Sequence, residues 1–224
     1  MTKVDELLAT AAVDPYADAW DSLYEKACHE GFSDADEAFL IPRMADLAGR
    51  YAPADRDNVL MLAGKIAADL DEANWPRYAE VFATMHRLTN DWLATPTDRH
   101  SFVFRLQAVM ALEGDELWGA ELDRIVHDEI EVECPQCETS LFVAFGEDGC
   151  FATHEDYATK PDVEQTPLLP TEPDELNGVG QRLHLMSVQA GQQSVAIALT
   201  YLFGRATCTQ CSTTFRVSEQ VFRY

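Results

Sequence analysis

The sequence predicts a mainly α-helical protein with a small β part. Apolar residues recur at helical spacing through residues 1–129, and Pro or Gly interrupts them at short intervals. From Ile130 onward, apolar and polar residues alternate, and β-branched and aromatic residues become frequent, which is typical of strands. We therefore expect a helical domain over residues 1–129 and a second, partly β-sheet domain over residues 130–224.

The predicted helices of the first domain have recognisable boundary signals. Asp14 followed by Pro15 predicts a helix start, and Gly31 predicts its end. Ser33 predicts the next N-cap, and Pro42 should kink or split that helix. Further helices are predicted to begin near Pro53, Trp75, Asp98 and Asp115. Short loops between helices predict an α-solenoid of the HEAT kind, and a compact irregular bundle is the alternative because no internal period is visible.

The second domain combines strands with an inserted pair of helices. Strand signals occur in three segments, 130–145, 150–152 and 214–217. Gly146–Gly149 is a turn signal, and the prolines of Lys160–Pro173 predict a linker or an extended loop. Two helices are predicted over about 174–204, the first capped by Asp174 and the second covering Val195–Phe203.

Two Cys-x-x-Cys motifs flank this helical insert, and they contribute Cys134, Cys137, Cys208 and Cys211. Two intervening residues allow both sulfurs of a motif to face one point, and four thiolates make a closed tetrahedral site for one structural Zn²⁺. About 70 residues separate the motifs, whereas roughly 15–20 are usual. The pattern therefore predicts a split zinc ribbon with helices inserted between its two halves.

Other readings of the cysteines and of one histidine stay open. The two motifs are alternatively unrelated cysteine pairs or a redox disulfide, although the βαβ setting of a thioredoxin-like motif is absent. Cys28 is predicted to be a buried apolar residue, and Cys150 to pack within a strand or to replace a missing ligand. His154 lies near the metal-binding segment and is a candidate for hydrogen bonding around the ligands.

The sequence does not indicate an enzyme. A site with four thiolate ligands has no open coordination position at which to activate water. His-x-x-x-His, Gly-x-Ser-x-Gly and a phosphate-binding glycine loop are all absent. Four tryptophans occur at helical spacing among other apolar residues and are predicted to lie in the core: Trp20, Trp75, Trp92 and Trp118.

The charge of the chain restricts its partners. The formal net charge is -23, and residues 1–133 hold 28 acids against 11 bases. Such a charge repels phosphate backbones and anionic membranes, so we expect a protein partner with a basic surface. A nucleic-acid-associated or ribosome-associated zinc-ribbon factor is the alternative, and it requires Arg205, Arg216 and Arg223 to cluster on one face. We expect a cytoplasmic protein, because neither a secretory signal nor a membrane-spanning run is present.

Several stretches resemble a known kind of protein. Leu23–Gly31, Phe39–Ala48 and Val59–Ile66, with Gly31 and Pro42, resemble bacterial HEAT-like helical-repeat proteins, some of them linked to toxin–immunity systems. Phe104–Asp115, leading into Cys134 and Cys137, resembles actinobacterial proteins that join such helices to a split zinc ribbon. The resemblance implies a scaffold role without catalytic residues. One form would be an immunity protein whose acidic face covers the basic cleft of a nuclease toxin.

Overall fold

The computed structural model describes residues 2–146, 149–160 and 162–223. The chain divides into two units, Met1–Leu122 and Asp123–Tyr224, the first helical and the second containing antiparallel sheets and a helix pair. The predicted fold class, mainly α with a small β part, is confirmed at this level. The predicted boundary between residues 129 and 130 lies slightly later in the chain than the observed one. Over the described ranges, no helix combines the length and apolarity that crossing a bilayer requires.

The first unit is built from helices joined by short loops. In chain order they are α1 Lys3–Ala11, α2 Asp18–His29, α3 Asp34–Arg50, α4 Asp57–Asp69, α5 Trp75–His86, α6 Thr89–Leu93, α7 Arg99–Glu113 and α8 Trp118–Glu121. Helix α1 was not predicted, although it has a capping box, in which the Thr2 and Asp5 side chains each bond the other residue's backbone N–H. Ser33 and Asp36 form the same box at α3, which confirms the predicted N-cap.

Several predicted helix boundaries are wrong. Helix α2 begins at Asp18 and not at Asp14, because the Asp14 carboxylate accepts the N–H of Tyr16 and forms an Asx turn. Pro42 lies inside a continuous α3, where the fully buried Ile41 and Met44 hold the chain on both sides of it.

Two further segments are less regular than predicted. Pro53 opens a short 3₁₀ turn, Pro53–Asp55, and α4 starts after it. The helix predicted to begin near Asp115 is instead the short α8 followed by the 3₁₀ segment Leu122–His127.

Helix α4 is the central element of the first unit. It contacts α2, α3, α5, α7 and α8, and most of its residues are buried. Its approach to α7 is very close, since a Cβ placed on Gly64 would lie 2.6 Å from the Cα and Cβ of Ala108. A glycine at this point therefore sets the distance between the two helices.

In its described residues, the second unit contains two antiparallel sheets and one helix pair. Its elements are β1 Glu129–Glu133, β2 Ser140–Gly146, β3 Gly149–Thr153, β4 Thr166–Pro167, α9 Gly178–Gln189, α10 Gln193–Leu202, β5 Arg205–Thr207, β6 Thr214–Arg216 and a 3₁₀ turn, Val217–Gln220. Strands β1 to β4 form one sheet in sequential order, and β5 and β6 form the other. Helices α9 and α10 pack on each other, and α10 also contacts β2.

Some details of the second unit differ from the prediction. Helix α9 begins at Gly178 after Asn177, so the predicted cap at Asp174 is wrong. Part of the predicted linker is ordered structure, because it contains β4 and because Leu169 exchanges two backbone hydrogen bonds of 2.8 and 2.9 Å with Arg205. Of the predicted turn Gly146–Gly149, the two central residues lie outside the described residues.

Candidate metal centre

The first Cys-x-x-Cys motif forms the connection between β1 and β2. Cys134 follows β1 directly, and its N–H donates to the carbonyl of Thr139 at 3.0 Å. The N–H of Glu138 donates to the carbonyl of Cys134 at 2.9 Å, and Glu138 adopts a positive φ of 58°. These bonds fold the loop back on itself and turn the Cys134 and Cys137 side chains toward the same side.

The second motif repeats this geometry between β5 and β6. The N–H of Cys208 donates to Thr213 O at 2.9 Å, the N–H of Ser212 donates to Cys208 O at 2.9 Å, and Ser212 has φ 60°. Both loops have the sequence Cys-x-Gln-Cys-x-Thr, with the left-handed residue directly after the second cysteine. This repeated six-residue pattern indicates two loops of the same conformation, which the spacing of the cysteines alone does not predict.

The structure brings the four predicted cysteines together. Their sulfur atoms all lie within 4.8 Å of one another. Across the two loops, Cys134 Sγ lies 3.6 Å from Cys211 Sγ, and Cys137 Sγ lies 3.7 Å from Cys208 Sγ. A tetrahedral ion bound to thiolates at about 2.3 Å requires sulfur–sulfur distances of about 3.8 Å. The donor set and its spacing therefore fit one tetrahedral metal ion.

The four sulfurs have two different environments. Cys134 and Cys208, the first cysteine of each loop, are buried, and loss of solvation raises the pKa of the Cys134 thiol and raises that of Cys208 to about 12. Cys137 and Cys211, the second cysteines, are exposed. The cysteine cluster thus has one edge inside the protein and one edge at its surface.

Two threonine hydroxyls support the exposed sulfurs. Thr139 Oγ1 lies 3.3 Å from Cys137 Sγ, and Thr213 Oγ1 lies 3.3 Å from Cys211 Sγ. A hydroxyl that donates to a thiolate stabilises the charged form, so Thr139 lowers the pKa of Cys137, and Thr213 lowers that of Cys211 to about 6. Deprotonated sulfur is the form that binds metal, so both threonines favour ligation.

His154 holds the second loop and contacts none of the sulfurs. It follows β3, and its Nε2 lies 2.6 Å from the side-chain nitrogen of Gln210. Because that amide nitrogen donates, Nε2 accepts, and Nδ1 carries the proton toward Thr209 Oγ1 at 2.7 Å. Thr209 and Gln210 are the two residues between the cysteines of the second motif. His154 therefore positions the loop that carries Cys208 and Cys211.

The remaining cysteines lie outside the cluster. Cys150 is half-buried on β3, as strand packing predicts, and its thiol hydrogen-bonds to Tyr201, which raises the pKa of that phenol. Cys28 is exposed, so its predicted burial is wrong. The buried stripe of α2 ends at Ala27, and Cys28 falls on the side of the helix next to it. Of the predicted core tryptophans, Trp20, Trp92 and Trp118 are buried, whereas Trp75 is half-buried and stacks on Phe82.

Within the described residues, the four cysteines form the only cluster of three or more side chains placed to hold a metal ion. Four thiolates bound to one tetrahedral ion would leave no coordination position for water or substrate. Comparison of the chain with protein-family models, with curated proteins and with solved structures found no match in any of the three. Function must therefore be inferred from the geometry of this site and from the charge of the chain.

Proposed function

We propose that the second unit is a split zinc ribbon that holds one structural Zn²⁺ through Cys134, Cys137, Cys208 and Cys211, and that the protein is a non-enzymatic interaction scaffold. The observation that carries this proposal is the pair of matched loops, which place four sulfurs within 4.8 Å of one another. Thiolates favour Zn²⁺ or iron over Mg²⁺ or Ca²⁺. Zinc is the ion whose structural sites most often have four cysteines in paired loops of this kind.

A structural role for the ion follows from what the loops connect. One loop belongs to the β1–β4 sheet and the other to the β5–β6 hairpin, whose strands contain three residues each. A two-stranded hairpin of that length is not stable by itself in water. An ion bound by both loops would fix the hairpin against the larger sheet and supply folding free energy to the unit.

The metal assignment is tested by elemental analysis of the purified protein. We expect one zinc per chain, and loss of that zinc in the double variant Cys134→Ser/Cys208→Ser. A matched control, Cys28→Ser/Cys150→Ser, removes the same number of thiols away from the site and should retain the zinc. Iron in place of zinc would colour the protein and contradict the identity of the ion, and a native protein free of metal would contradict the site itself.

The scaffold role is supported by the first unit and by the charge. Helix α4 contacts five other helices, which favours the compact irregular bundle over a linear HEAT-like array, in which each repeat contacts only its neighbours. The chain carries 39 acids against 16 bases, and most of both lie in residues 1–133. We propose that this acidic surface binds a protein partner with a basic surface, and an immunity protein against a nuclease is one form of that role.

The partner is tested by affinity capture from a lysate of the native cells, with mass spectrometry to identify bound proteins. A basic protein captured by the native chain would then be purified and its affinity measured at increasing salt. We expect the affinity to fall as salt screens the opposite charges. An affinity that does not change with salt would contradict recognition through the acidic surface.

One observation favours the nucleic-acid alternative. Arg205 and Arg216 are directly paired across β5 and β6, so two of the three arginines named from the sequence share one face. Both side chains are exposed, although Arg216 also faces Glu219 at 3.8 Å. Binding of fluorescently labelled RNA and DNA at low salt would test this reading. We expect no binding at micromolar protein because of the net charge of -23.

A further inference from the structure

The cysteine cluster presents only two of its four sulfurs to solvent. Cys137 and Cys211 are exposed, whereas Cys134 and Cys208 are buried. Sulfur binds a metal ion as thiolate, and thiolate is also the form of sulfur that oxidants attack. Susceptibility of a cysteine to oxidation follows its thiolate character and its access to solvent. In the zinc site proposed above, the two exposed cysteines combine both properties, and the two buried cysteines have only the first.

Each exposed sulfur lies next to a buried sulfur of the other loop. Cys211 Sγ is 3.6 Å from Cys134 Sγ, and Cys137 Sγ is 3.7 Å from Cys208 Sγ. The sulfur atoms of a disulfide are about 2 Å apart, so each pair has to approach by less than about 2 Å to form one. The cluster is therefore two pairs, and each pair holds one sulfur that an oxidant reaches and one sulfur that it does not.

We propose that the cysteine cluster is a site of reversible oxidation by a hydroperoxide, which converts the four thiolates into two disulfides and releases the zinc ion. The disulfides are Cys134–Cys211 and Cys137–Cys208, so each joins one loop to the other. This inference rests on the proposed zinc site. The exposed cysteine of each pair reacts with the peroxide, and the buried cysteine then completes the disulfide.

The reaction of one pair consumes one peroxide molecule. The exposed thiolate attacks a peroxide oxygen, the O–O bond breaks, and a sulfenic acid and a hydroxide ion form. The buried thiolate then attacks the sulfenic sulfur, the S–O bond breaks, and a second hydroxide leaves as the S–S bond forms. Two electrons pass from the sulfurs to the peroxide, and two protons from solvent convert both hydroxides to water. A second peroxide oxidises the second pair, and the ion leaves because its thiolate ligands are gone.

The positions of the sulfurs suit this order of events. Peroxide approaches an exposed sulfur from solvent, so the new S–O bond points away from the protein. A thiolate that displaces hydroxide attacks from the side opposite to the departing oxygen. The buried sulfurs of Cys134 and Cys208 lie on that inner side of the cluster.

The charge of the chain favours an uncharged oxidant. The formal net charge is -23, and the exposed Glu133 and Glu138 flank the first cysteine motif directly. This charge lowers the local concentration of anionic oxidants. Hydrogen peroxide is uncharged near neutral pH, so the same charge does not keep it away from the exposed sulfurs.

The proposed disulfides would take over the structural role of the ion. One cysteine loop connects β1 to β2, and the other connects β5 to β6. Disulfides between the loops would hold the β5–β6 hairpin to the larger sheet after the zinc has left. Disulfides within each Cys-x-x-Cys motif would leave the two loops unconnected. Oxidised protein should therefore differ from protein that a chelator has depleted of zinc, although neither contains the ion.

The first test measures zinc release from the full, zinc-loaded chain that carries Cys28→Ser/Cys150→Ser. In this variant the four thiols of the cluster are the only thiols in the sequence. Hydrogen peroxide is added in steps up to a small excess, and a chromophoric chelator that does not remove zinc by itself reports the released ion. We expect complete release of zinc, with loss of all four thiols. Dithiothreitol should restore the thiols and the ability to bind zinc.

Two further measurements identify the sulfurs involved. Tandem mass spectrometry of unreduced peptides should find the disulfides Cys134–Cys211 and Cys137–Cys208. Dimedone, a reagent for sulfenic acids, should label the two exposed cysteines and not the two buried ones when peroxide is limiting. Hydrogen exchange should show protected β5 and β6 amides in the oxidised protein, and the same amides should lose protection in reduced protein treated with a chelator.

The outcomes are distinct. Zinc release with the two disulfides between the loops, reversed by dithiothreitol, supports the proposal. Zinc that stays bound in the presence of peroxide, any other disulfide pairing, dimedone on the buried cysteines, or loss of β5 and β6 protection on oxidation overturns it and leaves the zinc assignment standing. A protein without zinc before peroxide is added overturns the zinc assignment and this inference together.

Discussion

The guanidinium of Arg105 on α7 donates to both carboxylate oxygens of Asp57 at the start of α4, with Nε 2.8 Å from Oδ1 and Nη2 2.9 Å from Oδ2. The third nitrogen, Nη1, donates to the carbonyls of Trp92 and Thr95, each at 3.1 Å. Trp92 Nε1 donates to the same Asp57 oxygen as Arg105 Nε, at 2.8 Å. The Arg105 side chain is 3% exposed, so this network fixes α4, α6 and α7 to one another inside the first unit.

Loss of the carboxylate should therefore destabilise the first unit. Asp57→Ala leaves the buried guanidinium without its counter-charge, although two carbonyls still accept from it. We expect the free energy of unfolding to fall by about 2–3 kcal/mol, less than the roughly 3–5 kcal/mol of a fully buried pair, because the Asp57 side chain is 37% exposed. Urea denaturation followed by circular dichroism measures the change.

A control for this prediction lies on the same helix. Asp69 pairs with Lys65 at 2.6 Å on the surface of α4, and Asp69→Ala should lower the free energy of unfolding by less than about 0.5 kcal/mol. Equal losses of unfolding free energy in the Asp57 and Asp69 variants would mean that the buried network stabilises the protein no more than a surface ion pair does.

Replacing either of two glycines by alanine should change the free energy of unfolding, and the two changes should have opposite signs. A Cβ on Gly64 would lie 2.6 Å from Ala108, so Gly64→Ala should force α4 and α7 apart and destabilise the protein by about 1–3 kcal/mol. Gly49 lies in α3 with no atom within 4 Å of the position of a Cβ, so Gly49→Ala should stabilise the protein by about 0.5–1 kcal/mol. Chemical denaturation of both variants tests the pair, and a gain at Gly64 would contradict the close approach of the helices.

The threonine hydroxyls beside the exposed sulfurs should tune metal affinity. Thr213→Val keeps the shape of the side chain but removes the donor to Cys211, and we expect an affinity for Zn²⁺ about tenfold lower. The neighbouring Thr214→Val removes a hydroxyl that contacts Thr207 and no sulfur, so it should leave the affinity unchanged. Competition with a chromophoric chelator gives both constants, and equal affinities in the native and Thr213→Val proteins would rule out this role for the hydroxyl.

Removal of the metal should affect the two units differently. A strong chelator should abolish hydrogen-exchange protection in β1, β2, β5 and β6, because the ion would no longer fix the two cysteine loops to each other. Amides of α4 and α7 belong to the other unit and should keep their protection. Protection that is retained in all four strands would show that the second unit folds without the ion.

The clustering of the four cysteines was predictable because the geometry of each Cys-x-x-Cys loop depends on short-range spacing. Two residues between paired cysteines allow one loop conformation with both sulfurs on one side, so the choice of these four candidate ligands does not depend on the fold around them. The contacts of His154 could not be predicted from the sequence. Its partners Thr209 and Gln210 lie 55 and 56 residues away in the chain, and only the folded sheet brings them together.

Helix boundaries were predicted less well because the same type of side chain can either cap a helix or form a turn. An aspartate followed by proline is a good helix start, yet at Asp14 the carboxylate bonds the N–H two residues later and makes a turn. Pro42 was expected to kink or split α3, and the helix is not split, because buried residues on both sides of the proline hold it in one piece. The central position of α4 follows from contacts between distant helices, which local periodicity cannot reveal.

The separation of the two cysteine loops along the chain also sets the order in which the metal site is completed during synthesis. Cys137 and Cys208 are 71 positions apart. At a synthesis rate of roughly 5–20 residues per second, the first loop is therefore made roughly 4 to 14 seconds before the second loop begins. During that interval the nascent chain offers only two of the four sulfurs, which cannot enclose a tetrahedral ion. Tight retention of the ion would therefore mark a chain in which the whole segment from Cys134 to Cys211 has been translated and folded.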